Sequence, residues 1–245
     1  MKKCWQIKAA ADRKAEILIY DRIGETWWGE GIAAKGFAED LAALGDLDEI
    51  TVRINSEGGN VFEGNSIYNT LLNHPAKVVV RIDSAALSIA SVIAMAGDEI
   101  KMAENALMMI HDPWGGTTGN SREMREMADL LDKIKTTLIV AYGHHTDKTD
   151  EEISELMAAE TWLNATEALE LGLVDEITGR QQVENSVDLS RFQNCPMEKI
   201  EACGWKKKEE RLPPKENDIE PEQEEVVAEF APISLLRKKL DLAEV

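Results

Sequence analysis

The chain has 245 residues, 44% of them hydrophobic and 30% charged, with 46 acidic against 27 basic side chains and a net charge of -19. This suits one globular domain of roughly 180 residues with further segments attached, and the acidity disfavours nucleic acid or an anionic membrane as partner. The three cysteines (Cys4, Cys195 and Cys203) form no CxxC pair, no run of about 18 apolar residues offers a membrane span, and "MKKCWQIKAAADRKAE" lacks the apolar centre of a signal peptide. A disulfide framework and a zinc site are therefore disfavoured, and a reducing cytoplasm is expected.

In chain order, "AEILIYDRIG" (15–24) alternates and reads as a strand. "AAKGFAEDLAALG" (33–45) places Phe37, Leu41 and Leu44 on one helical face and stops at Gly45. "EITVRIN" (49–55) is a strand with Ile50, Val52 and Ile54 facing one way, and "SEGGN" (56–60) is a glycine turn. "VFEGNSIYNTLLN" (61–73) predicts a helix with Ile67, Tyr68 and Leu71 inward. "KVVVRI" (77–82) predicts a strand buried on both faces.

An Ala- and Ser-rich run predicts a helix over about 88–96, and "EIKMAENALMMIHDP" (99–113) two short strands around a turn. Residues 121–145 predict a long amphipathic helix with Met124, Met127, Leu131, Ile134, Leu138 and Tyr142 on one side, a stripe that ordinary core burial explains. "TDEEISELM" (149–157) opens with a capping box, Thr149 with Glu152. "NATEALELG" is a short helix and "LVDEIT" the last strand.

The alternation indicates an α/β domain over residues 1–180. A connecting segment follows at 181–205. Residues 206–230 are dense in charge and proline, a composition that predicts disorder. Residues 231–245 can form a short amphipathic helix, either a docking peptide or a frayed end.

Three features carry possible chemistry. "NSEGG" (55–59) lies between a strand and a helix, where glycines free backbone N–H groups to face an oxygen. Its spacing matches no nucleotide-binding loop. "DSAALSIASVIAMAGDE" (83–99) offers Ser84, Ser88 and Ser91 as nucleophiles or as packing residues. His111 in "MMIHDPWGG" closes an apolar strand, a rigid place for a base that titrates near neutrality. His74, His144 and His145 read as surface residues.

Four stretches in register, "INSEGGNVFEGNSIYNTL", "ALSIASVIAMAG", "MMIHDPWGG" and "ETWLNATEALELGLVDEI", resemble the successive signatures of the ClpP-type serine peptidases. The likeness covers residues 16–178. "IGETWWGEG" and "ASVIAMAGDEI" are most similar to the ClpP-related head maturation (prohead) proteases of phages and prophages. The resemblance implies a ClpP/crotonase-like repeated β-β-α superhelix, with a long handle-like helix and the acidic tail outside it.

The resemblance also implies roles. Ser88 falls at the nucleophile position, with Ser91 as its rival, and His111 at the general-base position. Gly59 and Ile89 would supply the oxyanion-hole amides. Glu160 stands where the family has an aspartate, in "AETWLNA". Trp114, Gly115 and Gly116 would border an extended substrate, Trp114 either lining a pocket or, as preferred, packing.

No cofactor or metal is implied. The expected activity is ATP-independent serine endopeptidase action on scaffold and capsid proteins, by a homo-oligomeric ring inside a prohead in the host bacterial cytoplasm. A crotonase-type acyl-CoA enzyme, a Ser–Lys dyad peptidase and a silent scaffold protein on the same fold are the competing readings.

Overall fold

Alternating Ile and Val residues build the centre of the molecule. The computed structural model describes residues 5–9, 12–24, 34–181, 189, 192, 194 and 195. Its elements are β1 (Trp5–Ala9), β2 (Lys14–Ile19), α1 (Ala34–Ala42), β3 (Glu49–Ser56), α2 (Val61–Leu72), β4 (Lys77–Leu87) and α3 (Ile89–Ala94). They continue with β5 (Glu99–Ala103), β6 (Leu107–Ile110), α4 (Ser121–Gly143), α5 (Asp150–Ala158), β7 (Thr161–Asn164), α6 (Ala165–Glu170) and β8 (Glu176–Thr178). The expectations for 206–245, for Cys4 and Cys203 and for most of "IGETWWGEG" lie outside the described residues.

The sheet runs β1-β2-β3-β4-β5-β8, antiparallel between β1 and β2 and parallel thereafter. Ile17, Ile50, Val52, Ile54, Val80 and Ile82 are fully or almost fully buried, each worth about 1.5–3 kcal/mol relative to exposure. β4 has two partners in succession. Val79–Ile82 pairs with β5, whereas Ala85–Leu87 diverges to pair with β6, which in turn pairs antiparallel with β7. That divergence makes β6 and β7 a branch of the same eight-stranded sheet, and Ser88 follows directly after the branching end of β4.

Several expectations change. β1 is a strand that its mixed sequence, WQIKA, does not announce; it is held by pairing with β2. β4 is longer than expected because Asp83–Leu87 stays extended, and α3 is correspondingly short. The apolar stripe of α4 is core only toward its C-terminal end: Leu138 and Tyr142 are buried and Ile134 packs on their cluster, but Met124 is exposed. The helix is anchored through its C-terminal half, where Lys135 also pairs with Asp112 at 2.8 Å, and Asn120 with Glu123 caps its start in a capping box. His145 is no idle surface residue, since its Nε2 lies 2.8 Å from the Met95 carbonyl. His74 Nδ1 accepts from the Ala76 amide at 3.1 Å.

One charge is buried in the sheet. Asp83, 2% exposed, accepts from the Tyr20 hydroxyl and from Arg53 Nε at 2.6 Å. Burial, followed by Asp83 itself, pushes the Tyr20 phenol well above its ordinary range. The pairing satisfies the carboxylate and ties the end of β2 to β3 and β4, five residues before Ser88. No described helix is long and apolar enough to cross a membrane.

α2 and α3 meet at Gly64. A methyl group there would lie 2.2 Å from Ile89 Cγ1 and 3.2 Å from Cγ2. Alanine ordinarily gains about 1 kcal/mol over glycine inside a helix, but here the overlap dominates. Gly64→Ala is expected to lose a net ~1–3 kcal/mol of stability, read as a lower urea midpoint with an unchanged slope.

Candidate active site

Ser88 ends β4 and stands at the N-cap of α3, at φ 56° and ψ -131°. A β-carbon disfavours this region, at about 1–3 kcal/mol for a non-glycine residue. The conformation is held from both sides. The Ser88 amide donates to the Met109 carbonyl at 2.9 Å, and the Ser88 carbonyl accepts from the Ser91 amide at 2.9 Å and from Ser91 Oγ at 2.6 Å. The Ser88 hydroxyl, left in a partly open position, lies 2.7 Å from His111 Nε2.

Ser91 is fully buried, and its hydroxyl is committed elsewhere. Besides the Ser88 carbonyl it meets the Met109 carbonyl at 3.2 Å and the Tyr142 hydroxyl at 2.8 Å. Burial pushes the Tyr142 phenol well above its ordinary range. Ser91 thus fastens α3 to β6 and α4 and has no access to a substrate, which removes it as a rival nucleophile. Ser84 is likewise buried, within β4.

His111 directly follows β6. β6 and β7 pair in antiparallel register from Leu107↔Asn164 to Ile110↔Thr161, and His111 and Glu160 are the next residues beyond that last pair. The Asp112 amide continues the contact, donating to the Met157 carbonyl at 3.1 Å. Glu160 follows the C-cap of α5 at φ 50°, where glycine is usual. Its Oε1 accepts from the Asn194 amide at 2.8 Å and from Trp162 Nε1 at 3.2 Å. The Cys195 thiol lies beside this group, its pKa pushed up by burial and then by the charge of Glu160.

The glycine turn closes over the serine. A methyl group on Gly58 would sit 2.6 Å from the Leu87 carbonyl, 2.8 Å from Ser88 Cβ and 3.2 Å from the Ile89 nitrogen. On Gly59, at φ 152°, it would lie 2.0 Å from the Ile23 carbonyl. Ile23 clamps this turn, its amide donating to the Gly58 carbonyl at 2.9 Å and its carbonyl accepting from the Asn60 amide at 2.8 Å. The amide-bearing segments at 59 and 89 therefore flank Ser88. Such a setting favours a developing oxyanion.

A groove of about 380 Å³ runs past Ser88 and His111. Gly59–Phe62 form one wall, Pro113–Gly116 another, and Met127, Leu130, Leu131 and Ile134 of α4 its apolar side. Trp114 is 72% exposed on this groove, so it does not pack as preferred from the sequence. An added methyl group at Gly116 would meet nothing within 4 Å, leaving room for an incoming chain.

Of the residues singled out from the sequence, Ser88 and His111 meet by hydrogen bond, Gly59 lines the same groove, Ile89 follows Ser88 in the chain, and Glu160 stands just beyond the last β6–β7 pair. The sequence reading misses Gly58, Tyr142, Trp162 and Asn194. Only Gly58 left a signal, as half of a glycine pair; Tyr142 and Asn194 act across 51 and 34 residues, and Trp162, two residues from Glu160, bears no local mark of its contact.

Residues 2–181 match the family model described as Clp protease. The ATP-dependent Clp protease proteolytic subunit of Deinococcus radiodurans is 34% identical over 131 residues, 53% of this chain and 64% of that protein. Subunit 1 of Salinibacter ruber is 32% identical over 139 residues, 56% of this chain and 60% of its own length. The subunit of Porphyromonas gingivalis is 31% identical over 131 residues, 53% and 59%. The chain thus spans less than two thirds of the length of these curated relatives. The family match covers well over half of the chain, and its mixed α/β architecture agrees: this chain belongs to the Clp protease family.

Proposed function

We propose that the chain is a serine endopeptidase with Ser88 as nucleophile, His111 as general base and Glu160 as the acid that orients it. One observation carries the reading: Ser88 Oγ lies 2.7 Å from His111 Nε2 while the serine backbone is held at positive φ. A serine hydroxyl attacks poorly unless a base takes its proton during attack. With the imidazole proton on Nδ1, Nε2 accepts that proton as Oγ bonds to the scissile carbonyl carbon. The carbonyl oxygen becomes an oxyanion facing the Gly59 and Ile89 amides, each such donor being worth about 3 kcal/mol. The imidazolium, stabilised by the Glu160 carboxylate, then protonates the leaving amine. Water repeats the sequence on the acyl-enzyme, regenerating Ser88.

The groove supports an extended peptide lying beside residues 112–116, with its side chain next to the scissile bond against the apolar wall of α4. Trp114, Gly115 and Gly116 would border it. An acyl-CoA enolate chemistry has no use for a hydroxyl paired with imidazole, so the crotonase-type alternative has less support. The half-free, handle-like α4 supports assembly of this chain into homo-oligomeric rings on the superhelical family fold.

Within the family, the motif texture supports the ATP-independent head maturation type, cutting scaffold and capsid proteins within the prohead. A second reading rests on the matched relatives, which are named as ATP-dependent proteolytic subunits. On that reading an unfoldase would feed the groove.

A fluorophosphonate probe is expected to label Ser88, and Ser88→Ala to abolish both labelling and casein hydrolysis. Ser91→Ala is expected to keep labelling while lowering stability by about 1–3 kcal/mol, because it strands the Tyr142 hydroxyl. Loss of labelling in Ser91→Ala but not in Ser88→Ala would reject the assignment. Ser88→Gly is expected to be inactive yet more stable by about 1 kcal/mol, since glycine adopts the elbow without strain; calorimetry reads the shift. Co-expression with candidate scaffold and shell proteins, followed by mass spectrometry, is expected to show cuts without any added ATPase. Cutting only with an added unfoldase and ATP would favour the second reading.

A further inference from the structure

The stretch beyond residue 181, where the family match ends, returns to the site. Leu189, Phe192 and Cys195 pack on a small cluster that includes Leu107, Met109 and Trp162, on β6 and β7. The Phe192 ring stands edge-on to two others: His111 at 6.0 Å between centroids and 81°, and Trp162 at 5.4 Å and 83°. Two residues later, the Asn194 amide donates to Glu160 Oε1 at 2.8 Å, and Asn194 Nδ2 reaches the Ala159 carbonyl at 3.4 Å.

Both contacts bear on the groups whose placement the chemistry needs. Glutamate has one more rotatable bond than aspartate, so its carboxylate needs more fixing to face an imidazole. Trp162 Nε1 holds Oε1 at 3.2 Å; the Asn194 amide supplies a second, shorter bond to the same oxygen. Two donors on one oxygen fix the rotation of the carboxylate as one cannot. The Phe192 ring closes the same arrangement on the histidine side, in the edge-on geometry that aromatic rings favour.

We propose that the residues Leu189, Phe192, Asn194 and Cys195 act as a positioning strap for the proposed triad, with the Asn194 amide setting the Glu160 carboxylate and the Phe192 ring setting the His111 imidazole. Neither residue touches the reacting atoms. The strap rests on the peptidase reading above. It explains how a glutamate serves at a position where the resembled family uses the shorter acid. It also ties competence of the site to chain that lies outside the matched domain.

The test uses the full chain with an N-blocked apolar dipeptide aminocoumarin amide, reading kcat and KM separately. Asn194→Pro removes the amide donor, whereas Asn194→Ala keeps it. Phe192→Ala removes the ring, whereas Phe192→Tyr keeps it. Asn194→Pro and Phe192→Ala are expected to lower kcat by about 10- to 100-fold with KM within about twofold. Asn194→Ala and Phe192→Tyr should stay within about threefold of the unsubstituted chain.

Unchanged kcat in both disruptive variants, equal losses in Asn194→Ala and Asn194→Pro, or a rise in KM in place of the fall in kcat would overturn the strap. If Asn194→Pro loses its circular dichroism signal, the Phe192→Ala and Phe192→Tyr pair decides. An unsubstituted chain that neither hydrolyses the amide nor reacts with a fluorophosphonate would bring down the peptidase reading, and the strap with it. A reactive chain with indifferent variants would bring down the strap alone.

Discussion

The hydrogen bond between Ser88 and His111 depends on a backbone conformation that serine does not choose unaided. At φ 56° the residue costs about 1–3 kcal/mol, and the surrounding structure has to over-determine it. It does so by burying what lies on either side. Ala85–Leu87 are locked between β3 and β6, and every residue of α3 is buried. The chain can neither continue as a strand nor begin its helix earlier, and the turn between them falls on Ser88. Gly58, whose added methyl group would strike Leu87, Ser88 and Ile89, shows how closely the glycine turn is fitted over it.

α4 links that elbow to the groove. Its buried end contributes the Tyr142 hydroxyl, which with Ser91 holds the carbonyl of Ser88 and the backbone of β6. Its exposed half contributes Met127, Leu130, Leu131 and Ile134 to the groove wall. One helix therefore carries two opposite environments along its length. The sequence stripe is continuous because both environments take apolar side chains, the core interior at one end and the groove wall at the other. Hydrophobic periodicity reports the face and not its neighbour, which is why the stripe reads as core from sequence alone.

The same distinction governs what was legible elsewhere. Ile50, Val52 and Ile54 declare β3 by alternation, and Thr149 with Glu152 declares the start of α5, because both signals are local. The strand WQIKA carries no such signal and owes its existence to β2. The Tyr20–Asp83–Arg53 group joins residues up to 63 positions apart and has no local trace. Ser88 and Ser91 look alike in composition and neighbours. What separates them is that one faces the groove and the other faces Tyr142, a difference set by tertiary packing; only the family resemblance singled out Ser88. Phe192 and Asn194 fall beyond that resemblance, so nothing in the sequence marked them.

Backbone strain gives an independent pointer to the same centre. Among the described residues, four that are not glycine adopt positive φ: Asp12, Arg13, Ser88 and Glu160. Asp12 and Arg13 lie in the turn between β1 and β2, where such angles suit the twist of a hairpin and aspartate is tolerated. The other two stand at element junctions, Ser88 between β4 and α3 and Glu160 one residue past the C-cap of α5. Glycine would serve the elbow at 88 and the helix end at 160 with less strain, saving about 1 kcal/mol or more at each. On the proposed assignment, a chain that keeps a hydroxyl and a carboxylate at these two costly positions, the first hydrogen-bonded to His111, favours chemistry over stability at both. The positive-φ positions at 88 and 160 are those of the proposed nucleophile and acid, a coincidence seen in backbone geometry without reference to any relative.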